Sequence, residues 1–415
     1  MKRTEFLETI RGHESAHFRR KMKVMYLSID QEPQTKTISI EDARHFRNIV
    51  SNQMKRANRR AFKADVVMEI GFFSTSEVPL PVQTLVKNYL DLLHKEMPEA
   101  DKYRQLAFVD DSQIKLLMAN HYTDSHKAKI YIKLYRFSYF LKDAEYAQNI
   151  LRNEFSDKNY NLNDDFQIDE RRRLHNEPSL SELIRDFNEL KSSQPNQHVI
   201  LPLVHENIIR MQIFDAYVKQ NDFRLERLLE YFQTLFRQNR PYSEDERFQS
   251  LFRITRDYMF IGLDFIPMGG APVRSGESKI FRGHLRTQLK QFVQQHEYLF
   301  PLLSPVGLTI ICIPPAYNAP DADNLARQIV SSFDEICRPP LTHTSLPGVS
   351  THRTKKIRFS TPSYQIIYLP RNDGDPADGK IMVLLNKGYL NGNGLWTKIS
   401  NLIDKWEDHT RFRLF

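Results

Sequence analysis

Two stretches of this chain run through one order of elements: a strand, a basic helix, an apolar strand, a proline turn, a helix and further strands. The offset between them is roughly 235–240 residues. In the first stretch Val24–Ile29 alternates like a short strand. Ser39-Ile40-Glu41-Asp42 opens a helix with capping-box-like spacing, and Phe46, Ile49 and Val50 form its apolar stripe. Asp65–Phe73 reads as a buried strand, Pro79 and Pro81 punctuate it, and a helix runs from about Val82 to Lys95. A strand at Ile130–Tyr135 and a helix through about Leu151 complete this half. The second half offers a strand at Met259–Phe265, a Gly/Pro-rich loop, a helix at Ile280–His296 and a strand at Gly307–Ile313. A turn at Pro314–Pro320, a helix at Asp323–Ile336, strands at Tyr364–Leu369 and Ile381–Leu385 that are expected to pair, and a helix at Leu395–Trp406 follow. The fold class expected is α/β (mixed α+β), with two mixed-sheet domains in tandem over residues 1–152 and 259–415. A helical insert over 153–258 joins them, opened by an Asn/Asp-rich linker. In the insert Ser179 and Glu182 form a capping box ahead of Leu183, Ile184, Phe187 and Leu190, an apolar stripe that reads as core.

A length of 415 residues is enough for two or three domains, each with its own core. Two cysteines, Cys312 and Cys337, are too few for a disulfide framework or a four-cysteine zinc site, which fits a reducing compartment. No run of about 18 uncharged apolar residues is present, so no membrane partner is expected. Met1–Glu5 carries acid early with no apolar run behind its basic residues, so a leader is not expected and the location expected is cytoplasmic. The net charge of +8 is moderate and permits a polyanionic partner. Its distribution matters more than its sum. Lys55, Arg56, Arg59, Arg60 and Lys63 cluster at one helix end, and Arg282, Arg286 and Lys290 lie on another helix. Such runs serve as solvated helix ends or as phosphate contacts.

Two acidic motifs stand out. Pro320-Asp321-Ala322-Asp323-Asn324-Leu325 places two carboxylates at a strand-to-helix corner, where both are able to face one cleft. Hard cations such as Mg²⁺ or Mn²⁺ take oxygen ligands of this kind, and without a cation two such close charges raise each other's pKa. The plainer reading is a helix N-cap. Asp110-Asp111-Ser112-Gln113-Ile114 lies beside apolar residues and has its own plainer reading, an Asx-turn or cap. Other constellations are weaker: His205, His284, His343 and His352 lack ligand spacing, and the glycine loop Gly388–Gly394 lacks the lysine and serine of a P-loop.

Together these motifs make the chain resemble the RusA-like family of Holliday-junction resolvases. In that family an apolar strand leads into D-x-D-N-L-x-K, then a helix with a further Asp, then D-D-x-Q-V/I. The first half carries Leu85-Val86-Lys87, Asp91 and Asp110-Asp111-Ser112-Gln113-Ile114, but has Pro81, Val82, Gln83 and Thr84 where the paired aspartates and Asn belong. The second half is the converse. It keeps Asp321, Asp323, Asn324 and Leu325 with Arg327 at the lysine position, and reads Arg338-Pro339-Pro340-Leu341-Thr342-His343-Thr344 where D-D-x-Q is due. The resemblance implies a dimeric mixed α/β fold, a Mg²⁺-dependent endonuclease site of three aspartates, and branched DNA as substrate, in recombination or repair. With two copies in one chain it implies a pseudo-dimer.

Neither half holds a full ligand set, yet the sets are complementary. In one reading Asp321 and Asp323 meet Asp111 and Asp110 across the halves in a composite metal site. Lys87 or Arg327 then offsets phosphate charge, and two symmetric cuts need a second copy of the chain. In another reading both sites have decayed, and the basic residues serve a structure-selective DNA-binding protein without catalysis. A third reading, a protein-binding scaffold built on the central helices, leaves the acidic motifs unexplained. A role in defence against foreign DNA fits the duplication but rests on no residue. The separation of the Asp111 and Asp323 carboxylates, which a shared ion requires to be within about 5 Å, tells the first reading from the second.

Overall fold

The structure, a computed structural model, describes residues 6, 9–35, 38–77, 79–94, 106–151, 178–193, 200–220, 279–302, 306–317, 319–337, 361–386 and 395–412. The expected strand at Met259–Phe265, the linker after residue 152, the segment from Arg338 to Thr344 and the glycine loop lie outside them.

In the first half α1 (Ile10–Lys21) and β1 (Met25–Ile29) precede α2 (Ile40–Arg56), β2 (Val66–Phe73) and α3 (Val82–His94). β3 (Ile114–Tyr122), β4 (Lys129–Arg136) and α4 (Phe137–Leu151) follow. Two helices, α5 (Leu180–Ser193) and α6 (Ile200–Gln220), stand between the halves. The second half is α7 (Lys279–Gln295), β5 (Gly307–Ile313), α8 (Ala322–Cys337), β6 (Ser363–Tyr368), β7 (Lys380–Asn386) and α9 (Leu395–Phe412).

The fold is mixed α/β around one seven-stranded mixed sheet, ordered β1-β4-β2-β3-β6-β5-β7. Its pairing repeats. β2 runs parallel to β3 and antiparallel to β4, as β5 runs parallel to β6 and antiparallel to β7. Parallel neighbours require a crossover, and α3 and α8 supply it in the two halves. The expected pairing of Tyr364–Leu369 with Ile381–Leu385 is therefore corrected: β5 lies between these strands and bonds to both. The halves join through β3 and β6, antiparallel neighbours with Leu116 opposite Ile367 and Asn120 opposite Ser363. The sheet is thus continuous across the two halves of the chain.

Strand alternation divides the core in two. Met68, Ile70 and Phe72 of β2 face a cluster built with Phe46 and Val50 of α2, Leu85 and Tyr89 of α3, Leu285 of α7, and Leu325 and Ile329 of α8. Leu183, Phe187, Ile209 and Ile213 of α5 and α6 belong to this cluster too, so the central helices pack onto the sheet-bearing core. Val67 faces the opposite side with Phe140 and Ile150 of α4 and Ile399, Leu402 and Trp406 of α9. On that side α1 ties the outer helices: His17 Nδ1 lies 3.0 Å from the buried Asp143 Oδ1, Arg20 also pairs with Asp143, and Lys21 Nζ reaches Asp404 Oδ2 at 2.8 Å.

Candidate metal centre

β2 is parallel to β3, so within one half the two acidic motif positions lie at opposite ends of the sheet. One follows the C-terminal end of β2 and the other precedes the N-terminal end of β3, roughly 25–30 Å apart for strands of this length. The antiparallel β3–β6 seam changes partners. It brings the start of β3 to the end of β6, which is also the end of β5, where the chain enters α8. The Pro320 corner is fixed there by the Tyr368 hydroxyl, which donates to the Pro320 carbonyl at 2.6 Å.

Ligand atoms of Asp111, Asp321 and Asp323 consequently lie within 4.8 Å of one another, meeting the separation that a shared ion requires. Asp321 stands just before α8, and its backbone carbonyl accepts from the Leu325 N–H at 3.0 Å. Asp323 is in the first turn, only 1% exposed, and neither of its carboxylate oxygens accepts a hydrogen bond, so it does not cap the helix. The nearest cation comes from the other half: Lys87 Nζ lies 3.1 Å from Asp323 Oδ2 and 3.2 Å from Asp91 Oδ1. Burial works to lower the Lys87 pKa, but Asp323 and Asp91 outweigh it and raise the net value, so this lysine stays charged. Burial, followed by the charges of Asp111, Asp323 and Asp110, pushes Asp321 up to about 6 against the pull of Lys87.

The Asp110 segment divides its labour. A single 3₁₀ turn, Asp111–Gln113, is capped by Asp110, whose Oδ1 accepts from the Ser112 N–H at 2.9 Å. Gln113 closes the capping box: its Oε1 accepts from the Val109 and Asp110 N–H groups, and its Nε2 donates to the carbonyls of Phe62 and Ala64. Asp110 and Gln113 thereby hold the turn from which Asp111 reaches the cluster.

This donor set fits a hard divalent cation. Three carboxylates supply oxygen ligands, and a buried carboxylate without hydrogen bonds is costly unless a positive charge meets it. A cleft of about 490 Å³ opens beside Asp321, walled by Pro320, Tyr368 and Phe137 with Asp65, Ser112, Lys115 and Arg371 among its polar groups. The Arg371 guanidinium is held by the carbonyls of Pro314, Asp375 and Pro376.

The basic residues separate. Lys55, Arg56, Arg60 and Lys63 are exposed and Arg59 is half-buried, on chain that leads directly into Ala64 and Asp65 of the cleft wall. On α7, Lys290 is exposed and Arg282 half-buried, while Arg286 Nη2 pairs with both Glu335 oxygens at 2.9 and 2.6 Å. Arg327 is half-buried on α8, and the cation at the cluster is Lys87. Sequence reasoning did not single out Tyr364, Tyr368 or Arg371. Tyr364 is fully buried, its hydroxyl pKa raised well above the usual value by burial and by Asp323, and in sequence it is one apolar-patterned strand residue among many. Comparison with protein-family models, with curated proteins and with solved structures found no match to this chain.

Proposed function

We propose that the chain is a Mg²⁺- or Mn²⁺-dependent endodeoxyribonuclease acting on branched DNA, with one composite site shared by its two halves. The meeting of Asp111 with Asp321 and Asp323, three positions assigned to metal by motif and drawn from the two halves of the sequence, carries this reading. Such a meeting is not what decay of two separate sites leaves behind. Asp111, Asp321 and Asp323 hold the ion, which when bound polarises a phosphoryl oxygen and lowers the pKa of water. Lys87, held charged by Asp323 and Asp91, lies at the edge of the cluster and offsets negative charge as it builds on the phosphate oxygens. The cleft beside Asp321 takes the nucleotides flanking the scissile phosphate, and Lys55–Lys63 extend the contact along the backbone.

The test is cleavage of a four-way DNA junction with Mg²⁺ by wild type, Asp111→Asn and Asp323→Asn. Both variants are expected to lose about 100-fold or more in rate while keeping salt-dependent DNA binding. A wild-type protein that binds junctions and never cuts them leaves a structure-selective binding protein. One that shows no salt-dependent binding leaves neither.

A further inference from the structure

The pseudo-symmetry that builds one acidic site also specifies where its counterpart belongs. α3 and α8 start at equivalent points after β2 and β5, which sets Pro81 against Asp321, Gln83 against Asp323 and Asp91 against Ser331. The acid-to-neutral exchange is realised in contacts. Asp323 looks across the α3–α8 interface to Lys87 and its partner Asp91, whereas Gln83, itself buried, donates from Nε2 to Ser331 Oγ at 3.2 Å. A neutral amide and hydroxyl thus stand where the first site has a buried carboxylate facing a lysine. The third ligand has no replacement either. Between Cys337 and β6 the sequence from Arg338 to Pro362 contains no Asp or Glu, and has Arg338, Arg353, Lys355, Lys356 and Arg358. Among the described residues, Asp111, Asp321 and Asp323 are the one group of three such side chains placed to share an ion.

We infer that each chain carries one metal site and makes one incision, so that it nicks a single strand of a branched duplex. This rests on the function proposed above and adds its stoichiometry. In the step, water's oxygen bonds to phosphorus and one P–O ester bond breaks. One water proton goes to the leaving oxygen and the other to solvent, leaving a phosphate monoester and a hydroxyl at the nick.

Two measurements on the full chain test it. Mn²⁺ titration followed by electron paramagnetic resonance is expected to give one tight ion per chain, lost in Asp323→Asn; two ions of like affinity overturn the inference. A supercoiled plasmid extruding a cruciform is then cut with Mg²⁺ by wild type in a hundredfold excess of Asp323→Asn chains, so that nearly every assembly of chains holds at most one wild-type copy. Nicked circles as the sole initial product are expected. Linear DNA as the initial product under the same dilution shows two cutting centres in one chain and overturns the inference while leaving the nuclease reading intact. Bound but wholly uncut plasmid, with wild type alone as well as diluted, overturns the nuclease reading and the inference with it.

Discussion

Asp321 is the residue at which the proposed cation would have its most direct effect. Its pKa, pushed up to about 6 by burial and by its acidic neighbours, lies well above the usual carboxylate value of 3.8. An acid raised in this way binds its proton more tightly in the folded protein than in the unfolded one. Stability from this group is therefore fully present below about pH 4 and lost as pH rises through about 6. Asp321 is partly exposed, so the loss is about 1–2 kcal/mol rather than the whole of the shift. Metal-free Asp321→Asn is accordingly expected to be more stable than metal-free wild type at pH 7.5 and to equal it near pH 4. Wild type, unlike the variant, is expected to gain stability from millimolar Mg²⁺ at pH 7.5. Denaturant melts at the two pH values, with and without Mg²⁺, measure both effects; a wild type that Mg²⁺ leaves unchanged at pH 7.5 contradicts the account. Lys87 explains why the cluster is tolerated at all before an ion arrives, since it supplies the one positive charge within about 3 Å of Asp323 that the structure shows.

At the scale of the element, the 3₁₀ turn before β3 does more than its length suggests. One side chain, Gln113, satisfies two backbone N–H groups and two carbonyls, and so sets both where β3 begins and where the cleft-wall chain at Phe62–Ala64 lies. Gln113→Glu keeps the two accepted bonds and loses the two donated ones. We expect it to cost about 1–3 kcal/mol of stability and to weaken Mn²⁺ binding by about 10–100-fold with all three aspartates present. Calorimetric Mn²⁺ titration of the folded variant measures this, and unchanged affinity shows that the turn does not aim Asp111. This element also marks what the sequence could convey. The capping reading and the ligand reading of Asp110-Asp111-Ser112-Gln113 were alternatives for the motif as a whole, whereas in the structure they fall on adjacent residues. A cap and a ligand are both single carboxylates, and only the direction in which each points separates them. Helix and strand spans were legible from periodicity: β2, α3, β5 and α8 fall within one or two residues of where alternation and proline punctuation put them. The place of β5 between β6 and β7 was not. Strand order is decided by which side of the sheet each crossover helix packs on, and β6 and β7 are both buried strands whether they are neighbours or not.

The whole molecule depends on the seam between β3 and β6. Complementary losses in two halves pointed to a shared site from sequence alone, but the reason the site must be shared lies in topology. A parallel strand pair separates its own two motif positions by the length of the sheet, and only an antiparallel neighbour brings a foreign start beside a native end. Two independent domains side by side need no such bonding. Here Leu116–Asn120 and Ser363–Ile367 are central strands whose backbone groups are spent on the other half, with the apolar clusters on both faces drawing residues from both halves. Separating the halves exposes two long apolar edges and divides both cores, so the halves should open only together. In native-state hydrogen exchange the amides of Leu116–Asn120 and Ser363–Ile367 are expected to share one opening free energy, equal to that of global unfolding. The edge strand Met25–Ile29, paired on one side only, is expected to exchange through lower-energy openings. If the β3 and β6 amides instead exchange with distinct free energies, each tracking its own half in denaturant, the sheet is two sheets in contact. The composite site would then be a docking product rather than a property of one cooperative fold.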